Sequence, residues 1–170
     1  MPGRAVGLAA TFSCEPAAKW LKAWLRQFGT EVDVRLAPYN ALLAELTSPS
    51  AFREAHACVG LLNLSDWQRP PNISEAAPAA AASTAPQFDA ARFESDLQLL
   101  VDCLHAALGS SGAISRLLLI ICPSRAAASA RSFAAAADRL KALTLTLPRF
   151  TVLTPSELAA WYPVAEPHDL

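Results

Sequence analysis

Ser13, Asn63 and His168 supply a hydroxyl, a carboxamide and an imidazole. With these groups a serine hydrolase attacks an acyl carbon, holds the oxyanion and moves the proton. Ser13 opens the run Ser13-Cys14-Glu15-Pro16 between an apolar segment and a predicted helix, which would set its hydroxyl against a positive helix end. The same position suits an N-cap, which needs only an acceptor for backbone N–H groups. Cys14 offers a thiol at that helix start, but no histidine adjoins it in sequence, and a small core-edge residue is the competing reading. Asn63 ends an apolar run where packing gives no reason for a polar side chain; it either donates to an oxyanion or closes a local turn. His56 precedes a strand and His105 falls on the polar side of a long helix. That leaves His168, in Glu166-Pro167-His168-Asp169, as the histidine placed to reach a site as base.

Other polar residues follow predicted strands in the same way: Glu15 after the first, Tyr39 and Asn40 after the second, Ser65, Asp66 and Trp67 after the third, Ser124 and Arg125 after the fourth. Caps and turns use these residue types too, so each has a local structural role as its alternative. No His/Cys/Asp/Glu cluster has ligand spacing, so no metal is expected. Neither G-x-G-x-x-G nor G-x-x-x-x-G-K-[ST] occurs, and no cofactor is expected.

Charge and length narrow the classes further. A net charge of -1, with no basic arm or long charge run, removes the electrostatic case for nucleic acid or an anionic membrane surface. No run of about 18 apolar residues exists, so no membrane span is predicted. The start reads as a first strand rather than a signal peptide, and Cys14, Cys58, Cys103 and Cys122 form no C-x-x-C pair. A reduced, cytoplasmic protein is the expectation. With 170 residues and 53% hydrophobic content, the chain can build one domain with a sizeable core.

The elements that must position these residues alternate. Val6–Phe12 is a nearly continuous apolar run, as in a strand buried on both faces of a parallel sheet. A helix follows to Gly29, with Ala17, Trp20, Leu21, Trp24, Leu25 and Phe28 as the stripe expected to pack on the sheet. Val32, Val34 and Leu36 alternate with charges, as in a strand nearer the edge. Short helical turns are predicted up to Leu46 and from Ser48 to Arg53, then a second central strand over Ala57–Leu64. Residues 68–87 are rich in Pro, Ala and Ser and are expected to form a flexible loop within the domain. Asp89 caps a helix to Leu108; Leu117–Cys122 is a strand; an alanine-rich helix runs from Arg125 to Leu143. Phe150–Leu153 is a fifth strand, and Thr154-Pro155-Ser156-Glu157 reads as a capping box before a last helix.

Five strands alternating with helices predict a three-layer α/β sandwich with a parallel sheet in the order 2-1-3-4-5. In that order the crevice lies outside the carboxyl ends of the first and third strands, which brings Ser13–Pro16 and Asn63–Trp67 to one rim. A further helix to cover the sheet near its last strand is not evident, so the single domain, residues 1–170, is expected to be truncated at its C-terminus.

The segments ATFSCEP (Ala10–Pro16), WLKAWLRQFG, LAPYNALLAEL (Leu36–Leu46), LNLSDW (Leu62–Trp67) and YPVAEPHD (Tyr162–Asp169) resemble, in order and spacing, the SGNH-hydrolase-like N-terminal domain of FkbH-type proteins. Such domains also occur in polyketide and non-ribosomal peptide synthetases. In that family the domain precedes a HAD-type phosphatase-like domain that loads a glyceryl unit onto an acyl-carrier protein. The resemblance implies a non-catalytic accessory domain that positions a HAD-type domain or an acyl-carrier protein. The alternative it implies is a small SGNH-type esterase or acyltransferase using Ser13, with Asn63 at the oxyanion and His168 as base. An active SGNH hydrolase would carry Gly-Asp-Ser and Asp-x-x-His where this chain has Thr11-Phe12-Ser13 and Glu166-Pro167-His168, and the Asp-x-Asp motif of the HAD domain is absent.

Overall fold

A computed structural model of the chain describes residues 4–68, 89–109, 113–123 and 130–163. The chain builds β1 (Arg4–Ala10), α1 (Glu15–Gln27), β2 (Val32–Leu36), α2 (Leu42–Thr47) and β3 (Ala57–Leu62), then a 3-10 turn over Leu64–Gln68. α3 (Ala90–Leu108), β4 (Leu117–Ile121), α4 (Ala130–Leu143), β5 (Phe150–Leu153) and α5 (Pro155–Trp161) complete it. The five strands form one all-parallel sheet in the order β2-β1-β3-β4-β5, the topology expected of the alternating pattern. Apart from Gln68, the Pro/Ala/Ser stretch 68–87 lies outside the described residues, as do Ser124, Arg125 and His168.

Right-handed crossovers divide the helices between the faces. The β1-to-β2 step runs one way along the sheet and puts α1 on one face, whereas the steps from β2 to β5 run the other way and put α2, α3 and α4 on the opposite face. That second face holds the main core. Phe52, Leu62, Leu100, Leu104, Leu108 and Leu119 are fully buried there, with Phe133 and Leu140 of α4 closing over them. Gly7 of β1 makes this closure possible. A Cβ on it would stand 2.7 Å from the Ala51 carbonyl oxygen and 2.7 Å from the Phe52 ring.

The Ala51–Phe52 segment is held by a buried carboxylate. Glu45 of α2, 3% exposed, accepts the backbone N–H groups of Ser50 and Phe52, each at 2.9 Å, and the Ser50 hydroxyl. Burial alone would push its pKa up, but the bonds from Ser50, Phe52 and Ala51 outweigh it and hold the carboxyl below its ordinary value. This corrects the helical turn expected from Ser48 to Arg53: the chain there is bent, its N–H groups satisfied by Glu45 instead of by helical carbonyls.

α1 corrects a second expectation. The stripe predicted to pack on the sheet included Trp20, Trp24 and Phe28, which are 64%, 59% and 81% exposed. Cys14 sets the phase. It is the buried residue at the helix start, in a cluster with Leu8 and Ala10, and the positions four, seven and eleven beyond it, Ala18, Leu21 and Leu25, are those turned to the sheet. Cys14 is also the N-cap residue, with no side-chain cap bond, so Ser13 does not cap this helix. The far end is as the sequence predicts. Gly29, at φ 71°, closes a Schellman motif in which its N–H reaches the Arg26 carbonyl and that of Thr30 the Leu25 carbonyl, each at 2.9 Å.

The remaining caps follow their sequence signals. Asp89 accepts the Arg92 N–H at 3.0 Å, and Thr154 and Glu157 form a reciprocal capping box. Lys141 of α4 pairs with Glu157, which ties α5 to α4. At the sheet margin, Arg35 of β2 pairs with Asp33 at 3.0 Å and donates to the Arg53 carbonyl at 2.9 Å.

Candidate functional site

Because β1 and β3 are parallel neighbours, the chain leaves both at the same edge of the sheet. The first residue past β1, Thr11, is the link between the two exits. Its N–H donates to the Leu61 carbonyl at 3.1 Å, its Oγ1 accepts the Asn63 N–H at 3.0 Å, and its hydroxyl donates to Asp66 Oδ2 at 3.0 Å. Thr11 is 5% exposed, so all three bonds are made away from bulk water. Asn63 closes a turn of its own: its Oδ1 accepts both the Ser65 N–H (3.1 Å) and the Ser65 hydroxyl (2.8 Å), which starts the 3-10 turn carrying Asp66 and Trp67.

Above this junction lies a cleft of about 520 Å³. Leu42, Leu62 and Leu100 give it apolar walls, and Thr11, Asp66, Tyr39 and Asn40 line its mouth from the strand exits. Asn40 takes φ 55°, a left-handed conformation its short amide tolerates better than most side chains. Trp67 is held by Phe93 of α3, ring centroids 5.7 Å apart, and Phe93 in turn by Phe133, at 5.6 Å. α3 contributes Arg92 and Asp96, an i,i+4 pair 3.9 Å apart. The cleft therefore opposes one guanidinium to two carboxylates over an apolar floor, a donor and acceptor set for a small polar ligand.

Of the residues expected on the rim, Tyr39, Asn40, Asp66 and Trp67 line this cleft, with Asn63 directly below. Ser13, Cys14 and Glu15 do not line it. Ser13 is exposed and makes no hydrogen bond to another described residue. Cys14 points the other way, into the α1 side, where burial and then the Glu15 charge push its thiol pKa up, the reverse of what a nucleophilic thiolate needs. Cys122, at the end of β4, is pushed up to about 11 by burial and then by Asp66. All four cysteines are free thiols. Among the described residues no three His, Cys, Asp or Glu side chains group as a metal site.

Sequence reasoning missed Thr11, Arg92 and Asp96. Thr11 was hidden as the tail of an apolar run. Arg92 and Asp96 sit beside Phe93, Leu97 and Leu100 on the α3 wheel, and that adjacency to a buried stripe is the signal that could have found them.

Neither a family model nor a curated protein sequence matches the chain. Among solved structures, the N-terminal part of the protein BF1531 from Bacteroides fragilis, containing a phosphatase domain complexed with Mg, is similar over 95% of this chain, with a TM-score of 0.54 and 13% identity. The likeness shows the fold. The matched region is 43% of that chain, so the present chain spans less than half of the protein it resembles. Among the described residues no helix is long and apolar enough to cross a membrane.

Proposed function

We propose that this chain is a non-catalytic, SGNH-like accessory domain of a HAD-related protein, one that positions a HAD-type domain or an acyl-carrier protein in polyketide or non-ribosomal peptide biosynthesis. The observation that carries the reading is the state of Thr11. Ser13, which stands where an SGNH hydrolase carries its serine, lies outside the cleft, and the hydroxyl that the β1 exit brings to the cleft instead, that of Thr11, is engaged as acceptor to the Asn63 N–H and as donor to Asp66. Such a group is a structural link between two strand ends, not a base-activated attacker. The similarity to part of a longer protein containing a phosphatase domain supports the same reading.

The alternative, an esterase or acyltransferase using Ser13, requires that side chain in the cleft, and it stands exposed outside it. Hydrolysis of p-nitrophenyl acetate separates the two. The expected result is a rate indistinguishable between the chain and its Ser13→Ala variant. Turnover that disappears with Ser13→Ala overturns the accessory reading.

A further inference from the structure

The described helices do not cover the two faces of the sheet equally. Strand register aligns Leu8, Val59, Leu118 and Thr151 in one cross-strand row on the α1 side, and Ala10, Leu61, Ile120 and Leu153 in the next. Over β1 these rows are buried by α1, but Val59, Leu61, Leu118, Ile120 and Leu153 are all only half-buried. α5, which follows the last strand, is seven residues long, buries no side chain and is tied to α4. A floor of aliphatic side chains two strands wide therefore lies beside α1.

α1 walls that floor with its aromatic flank. With Ala18, Leu21 and Leu25 on the sheet, the right-handed β1-α1-β2 crossover and the right-handed helix together turn the flank bearing Ala17, Trp20, Trp24 and Phe28 toward β3. Ala17 and Leu21 form the base of a hollow between the two tryptophans, an apolar opening of about 420 Å³. The opposite flank holds Lys19, Lys22 and Arg26.

The amino end of the same floor is basic. Arg116 and Arg149 immediately precede β4 and β5 and are register neighbours, fixed by the bonds from Cys58 N–H to the Arg116 carbonyl (2.8 Å) and from Leu117 N–H to the Arg149 carbonyl (3.0 Å). Leu117 enters the closed core, so alternation sets Arg116 on the open face; Arg149 takes a left-handed φ of 60° at the turn before β5, and its backbone bond to Leu117 puts it at the same amino end of the sheet. Both are exposed, and neither makes an ion pair to a described residue. Two like charges on adjacent backbones repel, and an anionic group at this end of the sheet relieves the repulsion.

We infer that this groove, floored by β3–β4 and walled by Trp20 and Trp24, docks an amphipathic helix of a partner protein, apolar on its buried face and acidic in its last turns. The basic amino end of the floor attracts the negative, carboxyl end of a helix dipole, so a partner helix lying along the strands runs against them, with its last turns near Arg116 and Arg149. Charge complementarity sets the partner's chemistry. A second copy of this chain offers α1, whose charged flank is basic and repels the arginine pair. The inference rests on the accessory-domain reading and names the surface through which the domain would hold its partner.

The test uses a fluorescent leucine/alanine helical peptide with glutamates in its last turns, titrated into the full chain and followed by anisotropy. The expected result is saturable binding that weakens with salt, falls roughly tenfold in Arg116→Glu/Arg149→Glu, and falls again in Trp20→Ala/Trp24→Ala. A peptide with lysines in place of the glutamates should bind the Arg116→Glu/Arg149→Glu chain and not the original, which also shows that this variant is folded. Equal binding of both peptides to the original chain, no binding of either, capture by anionic phosphatidylserine vesicles in their place, or self-association that buries the tryptophans overturns the inference. None of these outcomes creates Ser13-dependent hydrolysis, so failure here and failure of the accessory reading are told apart.

Discussion

Leu118 and Leu119 are neighbours on one strand and the same residue type, yet Leu119 is completely buried and Leu118 is only half-buried. The difference lies in which crossovers pass over them. Leu119 looks into the face covered by α2, α3 and α4, and Leu118 into the face that α1 covers only at its β1–β2 end. Apolar side chains on both faces of a parallel strand read alike in sequence, so unequal covering is a property of the helices rather than of the strands.

The comparison is most directly broken by paired truncations. Leu119→Ala should cost about 3 to 5 kcal/mol in urea unfolding, the range for a cavity in a closed core, and Leu118→Ala about 1 to 2 kcal/mol. Equal losses would mean that the α1 side is as well packed as the other. Gly7→Ala should come next, at about 1 to 3 kcal/mol, because the added methyl meets backbone as well as the Phe52 ring. A neutral result by thermal melting would show that the Ala51–Phe52 segment yields easily.

Glu45→Gln tests how that segment is held, with an expected loss of about 1 to 2 kcal/mol at neutral pH. The folded-state pKa of Glu45 is lowered, so its contribution is full above the ordinary carboxyl value of 4.5 and is lost as pH falls from there through the folded value. The original chain should therefore lose its margin over Glu45→Gln when unfolding is measured across that acid window. The smallest effect belongs to the open side. Trp20→Ala and Trp24→Ala should each change stability by no more than about 0.5 kcal/mol, because neither ring is packed in the isolated chain. A larger destabilisation by denaturant titration would place those rings in the core after all.

Much of this architecture was legible because its signals are local. Gly29, Asp89 and the Thr154–Glu157 box end or begin helices through bonds that span three to five positions, and the alternation of strands and helices fixed the sheet order. The rotational phase of α1 was not legible, because Cys14, a residue before the helix, decides it, and the aromatic stripe is the stronger apolar signal. The cleft was half legible for a similar reason. Tyr39, Asn40, Asp66 and Trp67 follow strand ends and were found by topology, whereas Arg92 and Asp96 arrive from a helix that pattern reading treats only as a packing surface. Thr11 contributes through a hydroxyl bonded to a residue 55 positions away, a separation no local pattern carries.

The two outermost strands bear on what happens at high concentration. Arg35 grips Asp33 and reaches across to the Arg53 carbonyl along β2, and β5 is only four residues long, so neither margin offers an incoming chain a long uncharged ladder. Concentrated samples should cluster by sticking broadside and redissolve on dilution, leaving thioflavin dark, rather than grow as fibrils strand upon strand.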